Sequence, residues 1–207
     1  MRVELSMAYL IQRAEAQHIP KIVEITNLEA ERSAATVASS SEPVDRWLEQ
    51  YQQTHNMNPW LVAILKNDES EQDQEAQKIV GYAKAAPYNL RDGFSWSVTL
   101  SIYIAHNYKR QGLGDHLYGA MFEILRKQGY LNVYARIALP NPGSQRLHER
   151  YGLKQTGILP RFAWKFGQWH DMAIYTGSLQ KDIQNPLPLL SVDDVWDDVF
   201  KSFSHRS

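Results

Sequence analysis

Lys109-Arg110-Gln111-Gly112-Leu113-Gly114 puts two glycines and two cations into six residues, three positions behind the apolar run "SIYIA" at 101–105. Glycine lacks Cβ, so a backbone there can approach a ligand closely and can take φ > 0. If Leu113 or Gly114 opens a helix, its first N–H groups have no intrahelical acceptor and point out of the turn. Such donors, aligned with the helix dipole, suit phosphate oxygens, and Lys109 and Arg110 add charge beside them. The chemistry offered is the holding of a phosphorylated ligand. It is not that of an ATP P-loop, because Asp115 and His116 stand where a lysine and a serine or threonine would follow the second glycine. Nor is it a dinucleotide fingerprint, since a third glycine is missing. An ordinary strand–helix turn, with glycines that only relieve backbone strain, remains the alternative from these six residues alone. A second reactive group is His148, in "RLHERYG". An imidazole with a pKa of about 6.5 can give or take a proton near neutral pH.

These residues need a scaffold. "AYLIQRA" (8–14) reads as a first strand, and Ile22, Ile25 and Leu28 give helical spacing in the segment after it. A second helix over 42–55 puts Trp47, Leu48 and Tyr51 on one face. "PWLVAILK" (59–66) and "KIVGYAKAAPY" (78–88) read as strands joined by the acidic, glutamine-rich segment 67–77, a solvated hairpin loop. A long strand spans 94–105. A helix over 113–130 turns Leu117, Met121 and Leu125 inward, a strand follows at 132–139, and a helix at 142–152 ends on Gly152. Two more strands fall within 153–179. This order predicts a mixed α/β sheet in one domain over 1–180. Residues 181–207 form an extension. In it Val192, Val195, Trp196, Val199, Phe200 and Phe203 mark an amphipathic helix over about 191–203, capped by Ser191.

The glycine turn, preceded by its apolar strand and followed by an amphipathic helix, resembles the coenzyme A pyrophosphate loop of the GNAT acetyltransferase superfamily. Lysine at 109 stands where that pattern has glutamine or arginine. "DGFSWSVTLSIYI", "LYGAMFEILRKQGY", "IALPNPGSQRLHERYGL" and "WKFGQWHDMAIY", in that order, resemble phosphinothricin N-acetyltransferases, with likeness from about residue 8 to 180.

The resemblance implies a GNAT-type fold, a mixed and mostly antiparallel splayed sheet flanked by helices. It implies acetyl-CoA as co-substrate, a small amino-acid-like amine as acceptor, and a homodimer. The coenzyme would be held by backbone groups of Ile102, Tyr103 and Ile104, by the turn from Lys109 through Asp115, and by Asn141. His148 stands where the phosphinothricin group has a histidine, placed to protonate the departing thiolate. Backbone N–H groups near Tyr103 would stabilise the oxyanion. The family's proposed general base, a glutamate, is replaced by Thr99, which can orient a water but cannot accept a proton at pH 7 as a carboxylate does. A fold-retaining acyl-CoA-binding protein without turnover therefore stays open. Tyr88, Trp96 and Trp164, with Phe162 and Trp169, are candidates for an acceptor pocket, and Arg91 or Arg161 for a carboxylate contact.

The 207 residues are 43% hydrophobic and 22% charged, with a net charge of −1. That balance gives no pull toward nucleic acid or an anionic membrane, and no partner of either kind is expected. The chain contains no cysteine, which removes disulfides, thiolate metal sites and a cysteine nucleophile. A cytoplasmic location is the simple expectation. The seven histidines are scattered without metal-ligand spacing, and no metal is expected. No run of about 18 apolar residues occurs, so no transmembrane helix is expected.

Overall fold

Among the described residues eight strands join in one sheet: β1 (Val3–Ser6), β2 (Tyr9–Arg13), β3 (Trp60–Leu65), β4 (Lys78–Pro87), β5 (Ser97–Ile104), β6 (Asn132–Ala138), β7 (Lys154–Lys165) and β8 (Gln168–Ser178). The computed structural model describes residues 3–6, 9–65, 78–181 and 184–203. The strand order is β1-β2-β3-β4-β5-β6-β8-β7. Every neighbouring pair is antiparallel except β5 with β6. The helices are α1 (Ile19–Arg32), α2 (Val44–Thr54), α3 (Leu113–Gln128), α4 (Pro142–Arg150) and α5 (Val192–Phe203). The mixed, mostly antiparallel sheet is the one the sequence predicts.

Two cores cover the two faces. Leu10, Val62 and Tyr82 pack under α1 and α2 with Ile22, Trp47 and Tyr51, and Tyr103 and Ala105 join their edge. On the other face Val98, Leu100, Val133, Ala135 and Ile137 pack under Leu117, Met121 and Leu125 of α3, with Ile102 and Ile104 at the edge. Period-2 alternation therefore assigns Thr99, Ser101 and Tyr103 to the α1/α2 face and their neighbours to the α3 face.

Several local expectations shift. The strand expected from residue 94 starts at Ser97, because Asp92–Phe94 form a 3-10 turn closed by Ser95 Oγ donating to Asp92 O at 2.7 Å. A short strand, Val3–Ser6, precedes the first one read from the sequence. Leu28 is exposed, since the buried stripe of α1 runs through Ile22, Ile25 and Glu29. The 67–77 segment lies outside the described residues, as do the side chains of Phe200 and Phe203.

The C-terminal helix packs on its own chain. Val195 and Val199 enter the α3-side core. Ser191 Oγ accepts from Asp194 N, and Asp194 Oδ2 accepts from Ser191 N, a reciprocal cap. Gln128 Nε2 donates to Leu190 O at 3.0 Å, and Val192 N donates to Asn56 O at 2.7 Å.

Candidate active site

The sheet opens between β5 and β6. Their pairing covers only Ser97–Thr99 with Asn132–Tyr134. β5 then continues to Ile104 on β4, and β6 to Ala138 on β8. From Leu100 onward β5 therefore has one edge without a strand partner among the described residues. Which main-chain groups face that gap follows from the bonds at either end. Ala105 N donates to Val80 O, and Tyr88 N donates to Ser97 O, so odd-numbered residues of β5 turn their main chain to β4. Trp96 O accepts from Leu131 N and Asn132 N, so even-numbered residues face β6. Ile102 and Ile104 therefore present backbone groups to the gap. Tyr103 was expected to do the same, but its main chain faces β4. Its ring stacks on Tyr82 at 5.5 Å, and its hydroxyl donates to Ala35 O at 3.4 Å.

The glycine turn closes the outer end of this gap. Arg110 has φ 64 and Gly112 φ 81, both left-handed. Two such residues in one turn aim successive N–H groups inward, an anion-binding concavity. Asp115 N and His116 N both reach Gly112 O, and Lys109 N donates to His106 O at 3.3 Å. The amides of Arg110, Gln111, Gly112, Leu113 and Gly114 have no acceptor among the described residues. The side chains behave differently from the amides. Lys109 Nζ donates to Glu29 Oε2 of α1 at 2.7 Å, so its charge is engaged inside the protein. Gln111 Oε1 accepts from Tyr9 OH, and its Nε2 donates to Asn107 O. The Asp115 carboxylate accepts from Arg150 at 2.8 Å, and its one donor, the backbone N–H, goes to Gly112 O. Leu113 is buried in the core. Asn141 caps α4, its Oδ1 accepting from Ser144 N at 3.2 Å.

His148 lies on the α3 side of the sheet, 4% exposed, between the rings of Tyr118 and Tyr175. Its Nδ1 is 2.7 Å from Ser144 O. A carbonyl only accepts, so Nδ1 carries the hydrogen and the neutral ring keeps its lone pair at Nε2. Burial pushes its pKa below the usual histidine value, and the bond to Ser144 O offsets part of that. The Tyr118 hydroxyl beside it is buried and has no hydrogen-bond partner among the described residues. Thr99 stands on the opposite face, its Oγ1 donating to Ala86 O at 3.2 Å.

Residues 9–174 match the acetyltransferase (GNAT) domain family. The chain belongs to the GNAT acetyltransferases. It is 30% identical to a phosphinothricin N-acetyltransferase of Streptomyces viridochromogenes, over 86% of this chain and 90% of that protein. It is 34% identical to an L-methionine sulfoximine/L-methionine sulfone acetyltransferase of Pseudomonas aeruginosa, over 47% of this chain and 56% of that protein. Among solved structures, a Salmonella typhimurium protein determined with its cofactor acetyl-CoA superimposes with a TM-score of 0.76 at 26% identity. That match covers 87% of this chain and 98% of the other.

Within this GNAT domain the aromatic candidates divide. Tyr88 packs at a tilt against Tyr134 at 4.5 Å and Phe94 at 5.5 Å, a wall beside Thr99 on the α1/α2 face. Trp96 is engaged elsewhere, its Nε1 donating to Leu187 O of the C-terminal extension at 2.8 Å. Trp164 packs on Trp169 at 5.4 Å in the exposed β7–β8 hairpin, with no ring contact to Tyr88 or Trp96 among the described residues. Phe162 is exposed in the same hairpin. Arg161 uses its amide on Asp171 Oδ1, and Arg91 is exposed. Two residues not singled out from the sequence matter locally. Glu29 is buried and holds both Lys109 and Ser33. Lys165 is buried and donates to Thr36 O at 2.8 Å, tying the hairpin to the α1–α2 connection. Neither pairing leaves a local signal, since the partners lie 80 and 129 positions apart.

Proposed function

We propose that this N-acetyltransferase moves the acetyl group of acetyl-CoA to a small, amino-acid-like amine by direct attack of the neutral amine on the thioester. The observation that carries this reading is the row of five free amides from Arg110 to Gly114, aligned with a strand edge that lacks a partner among the described residues. The turn fits a diphosphate, and the gap-facing groups of Ile102 and Ile104 fit the amides of a pantetheine arm, as an added strand would. The Ile102 N–H is the donor available to the oxyanion as the carbonyl becomes tetrahedral. As the N–C bond forms and the C–S bond breaks, the amine proton passes to Nε2 of His148, directly or through a water. His148 then returns a proton to the thiolate. Thr99 orients a water and removes no proton itself. A weakly basic α-amino group, with a pKa of about 8, is about one-tenth neutral at pH 7 and needs little help. That favours an amino acid over a lysine-like amine. Thiol release from acetyl-CoA across phosphinothricin, methionine sulfoximine and polyamines tests the reading. Release with an amino-acid acceptor is expected, and release only with polyamines would contradict it.

We also propose a cytoplasmic homodimer without a metal. The exposed Phe162, Trp164, Phe166 and Trp169 support the dimer, since such patches mark contact surfaces. Sedimentation at micromolar concentration should give twice the 23.9 kDa chain mass.

A further inference from the structure

β6 is an interior strand, yet one of its side chains is open to solvent. Val133, Ala135 and Ile137 are buried in the α3-side core, whereas Arg136, on the opposite face, is exposed. Its guanidinium forms no hydrogen bond or ion pair among the described residues. The register places it closely. Thr99 pairs with Tyr134 at the last rung before β5 and β6 diverge. Two residues further, Ser101 and Arg136 stand on the same face on either side of the gap. Tyr134, with Tyr88 packed at a tilt against it, walls that face at one end. Met172 and Ile174 of β8 line the neighbouring positions, opposite Ala138 and Arg136.

The charge on this patch is one-sided. Thr99, Ser101, Tyr134, Arg136, Met172 and Ile174 include one cation and no carboxylate. An unpaired guanidinium presents a planar fork of donors that matches a carboxylate in two parallel bonds. The same charge repels an acceptor carrying a second ammonium group. We infer that Arg136 is a specificity-determining residue that binds the acid group of an anionic acceptor, selecting amino acids with a free carboxylate over their neutral or cationic counterparts. This rests on the acceptor reading given above. Arg136 lies outside the four segments that carry the family likeness, and outside the coenzyme loop.

The test compares L-methionine sulfoximine with its methyl ester, in the wild type and in Arg136→Gln and Arg136→Lys. The readout is the ratio of kcat/KM for the acid to kcat/KM for the ester. Each variant is compared with itself, so the lower basicity of the ester amine cancels. Arg136→Gln is expected to lower this ratio about 10- to 100-fold, mainly through KM of the acid, as expected for losing a charge-assisted bidentate contact. Arg136→Lys should recover part of it, because a point charge replaces the fork. A ratio within about twofold of wild type in Arg136→Gln overturns the inference, as does a wild type that prefers the ester after correction for amine basicity. A wild type that releases thiol with neither compound overturns the acceptor reading itself.

Discussion

Lys109, at the head of the glycine turn, ends 2.7 Å from the buried carboxylate of Glu29 on α1. The turn is thereby braced from the opposite side of the sheet, and the ligand-facing work falls to amides. Lys109→Ala leaves the Glu29 carboxylate with Ser33 as its hydrogen-bond donor among the described residues. It should cost about 1–3 kcal/mol in urea unfolding, as for a half-exposed pair broken on one side. The double variant with Glu29→Gln should recover part of that loss. Losses that simply add would show that the pair is not coupled.

The pH dependence follows from His148. Activity needs its Nε2 lone pair, so kcat/KM per neutral amine, corrected for the acceptor's own titration near about 8, should fall on the acid side with an apparent pKa below about 6.5, the ordinary histidine value. His148→Gln should remove that limb and lower kcat about 100-fold or more. The stability linkage has the same origin. Burial makes the folded state bind the proton less well than the unfolded chain. The contribution is therefore intact above about 6.5 and is lost as pH falls through the window below it.

Thr99→Glu would put a carboxylate where a proton could be accepted, on the face that carries Arg136. For strongly basic amines kcat/KM at pH 7 should rise about 10-fold or more, because fewer than about one such amine in a thousand is neutral unaided. For carboxylate-bearing acceptors the gain should be smaller, through repulsion of the acid group. A uniform gain across acceptors would argue against a shared face.

Val195→Ala and Val199→Ala test whether the C-terminal helix is integral to the core. Each removes two buried methyl carbons and should cost about 2 kcal/mol in urea unfolding at neutral pH. Losses under about 0.5 kcal/mol would mark the helix as a loosely held appendage.

Local chemistry was legible in the sequence and distant pairing was not. Gly112 announced its left-handed φ because a turn with two glycines has few uses. α3 and α4 followed from spacing and caps. Tyr103 was misread because the direction of its main chain depends on which edge of β5 finds a partner, and that is decided by β4. The indole N–H of Trp96, a candidate pocket residue, goes to Leu187 O, 91 positions away, a pairing that leaves no local pattern. Arg136 stood in plain view within "NVYARIA", where alternation already set it opposite Val133, Ala135 and Ile137. Its exposure gains meaning only from the divergence of β5 and β6, which starts just before it and leaves no mark in the local sequence.

A 15N-edited titration of the full chain with coenzyme A tests the central claim most directly. The account predicts saturable shifts in the amide resonances of Arg110 through Gly114, and loss of both shifts and affinity in Gly112→Glu. Binding that leaves those five resonances in place, or undiminished affinity in Gly112→Glu, would contradict it.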